Sequence, residues 1–204
     1  MTISLIGSLR SPYVRRIRAA LVEMNLDFNF EVVDVWDPSP QFLAISPLER
    51  VPVFIFSGEH PIYDSHSIQA WLSVKYEDHP LFQGSLEGLS RRLHFTSLAT
   101  GIIDLAVQHF LEHRRGPAHS DMATIHDCER ALKQAYAVFE RELANPRPYL
   151  SGDSLRIEDI DLGVAVFYTD FRVGTWLVDL FPNVRNFSDT LAKRKSFSET
   201  RPPI

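Results

Sequence analysis

Cysteine is almost absent: Cys128 is the single one in 204 residues. One thiol excludes an internal disulfide and a multi-cysteine zinc site, and it points to the reducing cytoplasm as the expected compartment. Long apolar runs are lacking too. Stretches such as 162–168 fall far short of the roughly 18 to 20 residues that a membrane span needs. The N-terminus shows no basic stretch followed by an apolar segment, so neither export nor membrane insertion is expected. Basic excess is also missing. A net charge of −5 argues against a nucleic-acid partner, which needs a cationic surface to neutralise phosphates. Among the eight histidines only His109 and His113 stand at i, i+4, with no third ligand evident, so no metal is expected. There is no internal repeat and no low-complexity tract.

What is present is an ordinary globular composition, 45% hydrophobic and 23% charged, enough for a sizeable core. The opening 76 residues alternate strand and helix signals. Residues 2–6 read as a strand and 12–24 as a helix with Pro12 at its first position. Val14, Ile17, Leu21 and Met24 give that helix one buried face, and 28–35 alternates as a second strand. After a turn-rich stretch at 37–47, residues 53–56 read as a strand, Ser57-Gly58 as a turn, 61–63 as a short edge strand and 65–76 as a closing helix. A linker at 78–84 follows. Beyond it the periodicity is helical throughout, at 86–115, 121–143, 159–173 and 183–193, and Asn145-Pro146-Arg147-Pro148 must break the chain. Arg10, Arg15, Arg16 and Arg18 point in several directions around the first helix and read as a solvated face with internal ion pairs. Cys128 reads as a small buried hydrophobe.

Three short motifs carry chemistry. Ser11-Pro12-Tyr13 follows the first strand and opens the first helix, where unpaired amides and the helix dipole stabilise a thiolate or carboxylate. The alternative reading of Ser11 from local sequence is a plain N-cap with Pro12 behind it. In Arg50-Val51-Pro52-Val53 a proline directly precedes an apolar strand. A cis Val51-Pro52 bond would turn the Val51 N–H and C=O toward an extended peptide, whereas a trans proline would simply open the strand. Asp64-Ser65 precedes the closing helix, where Ser65 either caps it or receives a ligand carboxylate, with Asp64 available to an ammonium.

In this order and spacing the three motifs resemble the thioredoxin-like domain of glutathione S-transferases. Ser-Pro-Tyr-Val-Arg-Arg-Ile-Arg-Ala-Ala-Leu from Ser11 is similar to the family's catalytic-residue motif. Val51-Pro52 is similar to its cis-proline motif, and Asp64-Ser65 to its γ-glutamyl-binding pair. Gly152, Asp153 and Asp159 resemble its Gly-Asp-x-x-Ser/Thr-x-x-Asp folding motif, and the tail from Ser196-Phe197 to Pro203 is similar to that of small bacterial members. The family has Ser or Thr where this chain has Arg156, so the usual reciprocal cap with Asp159 cannot form, and compensation is expected from Asp153 or Ser154. Serine at position 11, where thiol-exchanging classes have cysteine, indicates a serine-type site, with Ser8 the competing hydroxyl.

The resemblance implies an α/β plus all-α fold: a thioredoxin-like domain over 1–77 with a mixed four-stranded sheet, a linker at 78–86, and a helical bundle over 87–204. It implies glutathione as co-substrate, held by Arg50, Val51, Pro52, Asp64 and Ser65, with Ser11 stabilising its thiolate for attack on a small apolar electrophile, as in detoxification. For the second substrate it points to Trp36, to His109 with the helix end after it, and to Tyr168 with Arg172. A homodimer is expected, with Asp104 reaching the neighbouring site. The competing functions are a non-catalytic binding or regulatory module, and a glutathione-dependent peroxidase or dehalogenase.

Overall fold

A computed structural model of the chain describes residues 2–145 and 147–203, with only the backbone of Glu87. Pro146, in the expected chain break, lies outside the described residues. Two compact units are present, one running through Gln83 and joined by the segment from Arg194, the other spanning Gly84–Lys193.

The first unit contains β1 (Ile3–Gly7), α1 (Pro12–Glu23), β2 (Asn29–Val32), α2 (Pro40–Ile45), β3 (Val53–Phe56) and α3 (Ser65–Lys75). β1 is the middle strand of three, parallel to β2 with Gly7 opposite Val32, and antiparallel to β3 with Ile6 opposite Val53. The expected fourth strand is present as a single antiparallel bridge, in which Phe54 and Ile62 exchange N–H to C=O bonds of 2.9 and 2.8 Å. The next hydrogen-bonded pair of such a ladder lies two residues on, where Asp64 would face Pro52, which has no N–H. α2 lies within the stretch expected to be turns. Ser39 caps it, accepting from the Phe42 N–H at 3.2 Å, and Pro40 opens it. Phe42 then packs against Ile6 and Val53, with Val51 beside them. These features make the unit thioredoxin-like.

Two of the arginines expected on a solvated face are buried. Arg16 is wholly buried and donates to Gln69 of α3 at 2.7 Å. Arg15 donates to the Phe197 carbonyl at 3.2 Å and to Thr200 Oγ1 at 3.4 Å, and Arg18 to the Glu199 carbonyl at 3.3 Å. These acceptors belong to the C-terminal segment, which carries α9 (Lys195–Ser198) against α1. Arg194 completes the attachment with two 2.7 Å bonds to Glu23, which also accepts from Ser196 Oγ at 2.5 Å.

The second unit is helical: α4 (Leu86–Arg114), α5 (Met122–Leu143), α6 (Ile157–Arg172), α7 (Thr175–Val178) and α8 (Pro182–Ala192). α4 packs on α5 and α6, and α6 is buried on nearly every side, its acidic Glu158, Asp159 and Asp161 included. Cys128 is buried among these helices, and burial pushes its thiol up. Phe181, at the cap position of α8, offers no side-chain acceptor, so Glu140 of α5 accepts from the Asn183 and Val184 N–H groups at 3.0 and 3.1 Å. At α6 the compensation expected from Asp153 or Ser154 comes from Asp159 itself. Its two oxygens accept the Arg156 N–H at 2.7 Å and the Leu150 N–H at 2.8 Å. No helix of the described residues is long and apolar enough to cross a membrane.

Candidate active site

Strand register gathers the sequence motifs. The C-terminal ends of parallel β1 and β2 and the start of antiparallel β3 lie at one end of the sheet. Val51 is two residues before Val53, which faces Ile6, so it lies beside the β1 end from which the chain leads to Ser11. The Phe54–Ile62 bridge directs the chain antiparallel to β3, bringing Asp64 and Ser65 to that same end, beside Pro52. Ligands of open α/β sheets bind beyond the carboxyl ends of the parallel strands.

Ser11 caps α1, its Oγ accepting from the Val14 N–H at 3.3 Å. The cap uses a lone pair of the hydroxyl and leaves its hydrogen able to donate, so capping and thiolate stabilisation are compatible. The turn offers fewer amides than the sequence suggests. The Ser11 N–H bonds the Ser8 carbonyl at 3.1 Å, Pro12 has none, and the Val14 N–H is on Ser11 Oγ. Ser8 Oγ accepts from the Arg10 N–H at 3.4 Å. The loop is pinned from below by Gly7, where any Cβ would come within 2.4 Å of Val14 Cγ2.

The Val51–Pro52 peptide is cis, as is Tyr63–Asp64. Ser46, buried at the end of α2, braces the approach to Val51: its hydroxyl donates to the Arg50 carbonyl at 2.9 Å and accepts from the Arg50 N–H at 3.2 Å. Asp64, not Ser65, caps α3, with one oxygen accepting from His66 and Ser67 N–H at 2.9 and 3.3 Å. Ser65 is thereby released from capping. It is 2% exposed, and its hydroxyl has no hydrogen-bond partner among the described residues. Gln69, one turn further, ties α3 to Arg16 of α1, so the two helices that open at this end of the sheet are locked together.

Sequence reading missed Gly7, Phe42 and Ser46, which position the site. A glycine directly before the Ser11 loop and Ser39-Pro40 at a helix start were the available signals; Ser46 had none.

The residues expected around a second substrate divide between the units. Trp36 is 60% exposed on the loop after β2, its N–H on Asp34 at 2.8 Å. His109 is 3% exposed, edge-on to His113 with ring centroids 4.5 Å apart and 3.4 Å from Glu129. Burial holds it below the usual histidine range, and it presents little surface to a ligand. Tyr168 is buried on α6, its phenol pushed up by burial against the opposing charge and hydrogen bond of Arg172. Asp104 is exposed on α4. Among the described residues no cluster of three or more histidine, cysteine or acidic side chains could hold a metal ion.

Residues 5–80 match the glutathione S-transferase N-terminal domain. The GST-like protein YibF of Escherichia coli is 27% identical over 202 residues, covering 98% of both chains. A glutathione S-transferase of Methylobacterium radiotolerans, solved with glutathione sulfonate, superposes with a TM-score of 0.91 at 29% identity, over 100% of this chain and 96% of that one. One from Methylobacillus flagellatus, solved with glutathione, gives 0.91 at 25% identity over 99% and 100%. Over residues 5–80 the chain carries the glutathione S-transferase N-terminal domain, and along its whole length it shares the fold of these enzymes.

Proposed function

We propose that this transferase activates the thiol of glutathione through Ser11 and delivers it to a small electrophile. The observation that carries the reading is the gathering of Ser11, Val51, Asp64 and Ser65 at one end of the sheet. Glutathione lies extended, its cysteinyl backbone against Val51 after Arg50 and Pro52 shape the turn, its γ-glutamyl carboxylate on Ser65 and its ammonium at Asp64. The unpartnered Ser65 hydroxyl at the start of α3 supports this, because a helix N-terminus plus one donor suits a carboxylate. The thiol then meets the Ser11 hydroxyl. A free thiol with pKa about 8.5 is a few per cent ionised at neutral pH, and lowering it by about two units requires roughly 2.7 kcal/mol of selective thiolate stabilisation. Part of the gain is lost because nucleophilicity falls with pKa, so holding the electrophile beside the sulfur matters as much.

The chain acts as a homodimer. Exposed Tyr63 and Val74 in the first unit, and Leu86 and Leu93 on α4, offer apolar surface for a second copy. Asp104 serves the neighbouring site. With its single cysteine buried, the protein is suited to the cytoplasm, and it works without a metal, nucleic acid or membrane.

Retention on immobilised glutathione tests the first step, and turnover with panels of aryl halides, alkyl halides and hydroperoxides tests the second. A protein not retained is a non-catalytic module. Retention with turnover of hydroperoxides or alkyl halides alone would replace conjugation by the peroxidase or dehalogenase reading. Light scattering that finds a monomer at micromolar concentration would remove the dimer and the role of Asp104.

A further inference from the structure

α6 ends in Arg172, which is held in an unusual setting. Its guanidinium carbon lies 4.0 Å from the ring centre of Phe110 on α4 and 4.1 Å from that of Phe171. Two aromatic faces restrict a planar cation to few orientations, so little rotamer freedom remains to be lost on binding. The Nε is buried with no hydrogen-bond partner. No carboxylate among the described residues pairs with Arg172. Asp170, two residues earlier, is taken by Arg185 through bonds of 2.7 and 2.9 Å. The carbonyl of Thr169 already accepts from the Val173 and Gly174 N–H groups at 2.8 and 2.9 Å, so the backbone itself closes this end of the helix. Tyr168, one turn before Arg172, brings a phenol to the same group.

We propose that Arg172, clamped between Phe110 and Phe171, is an anion subsite for a planar, carboxylate-bearing small molecule. A guanidinium flanked by aromatic rings, hydrogen-bonded to the Tyr168 phenol but without a carboxylate partner, keeps donors for the in-plane geometry of a carboxylate, and the rings accommodate an attached aryl group.

Binding is measured without glutathione, comparing 4-nitrobenzoate with the neutral 4-nitrobenzyl alcohol at constant ionic strength by isothermal titration calorimetry. Wild type should prefer the carboxylate by roughly ten- to a hundredfold, the range of a charge-assisted hydrogen-bonded pair. Arg172→Met, which keeps an apolar stem between the rings, should abolish that preference, and Arg172→Lys should retain a fraction of it. Equal affinity of wild type for the two probes overturns the proposal, as does a preference that survives Arg172→Met.

Discussion

Asp159 couples the helical unit to pH, and the sign follows from its surroundings. It is wholly buried at the start of α6, between Glu158 and two residues short of Asp161, both also buried. Burial first, and the Glu158 charge, push its pKa from 3.8 up to about 7, against the opposing bonds from the Leu150 and Arg156 N–H groups and the Arg156 charge. A carboxyl that holds its proton more tightly when folded stabilises the fold fully below about pH 4, and that stability is lost as pH rises through about 7. The difference of about three pKa units corresponds to about 4 kcal/mol over that range. Asp159→Asn removes the titration. It also leaves one of the two N–H donors short of an acceptor oxygen, costing about 1–3 kcal/mol. Urea unfolding of both proteins at pH 5, 6, 7 and 8 should show the variant least competitive at pH 5 and the gap narrowing by several kcal/mol toward pH 8. A gap that stays constant, or widens with pH as it would for an ionised cap, refutes the reasoning.

Glu23→Ala should cost about 2 kcal/mol, because it leaves Arg194 and Ser196 without their shared acceptor; thermal unfolding and faster proteolysis of the segment after Arg194 would register it. Burial opposes ionisation of Glu23, but the Arg194 and Ser196 bonds and the Arg194 and His79 charges hold its pKa below the usual range, so in wild type this attachment should weaken as pH falls below about 4. Ser65→Ala should lower glutathione affinity about tenfold with little change in Tm, because the hydroxyl has no partner in the chain to lose; an equal loss of Tm would assign Ser65 to the fold.

The order of elements was legible because each carries its own local signal. Val14, Ile17 and Leu21 mark α1 by spacing, Pro12 marks its start, and the apolar run 53–56 is β3 residue for residue. α2 was not, since six residues are too few for periodicity and Pro38 and Pro40 read as turn formers before Phe42 is known to reach the sheet. Burial of Arg15 and Arg16 was equally hidden. An arginine three positions from the helix start reads as surface until an acceptor 182 residues away in sequence is found. At the candidate site, the three motifs named residues that the strand register gathers at one end of the sheet, but not that Asp64 does the capping, nor that Ser46 holds Arg50. Those depend on which of two adjacent hydroxyl or carboxylate groups the fold turns toward an amide, and composition cannot distinguish them.

The central claim, that Ser11 stabilises the glutathione thiolate, is tested most directly by titrating the ultraviolet thiolate absorbance of bound glutathione in wild type and Ser11→Ala. The peptide anchors at Val51, Asp64 and Ser65 remain in the variant, so its affinity should change little while the bound thiol pKa rises by one to two units, roughly 1.4 to 2.7 kcal/mol, and conjugation slows in parallel. An unchanged thiol pKa and unchanged turnover in Ser11→Ala would contradict the account and transfer the role to Ser8 or a backbone amide of the same loop.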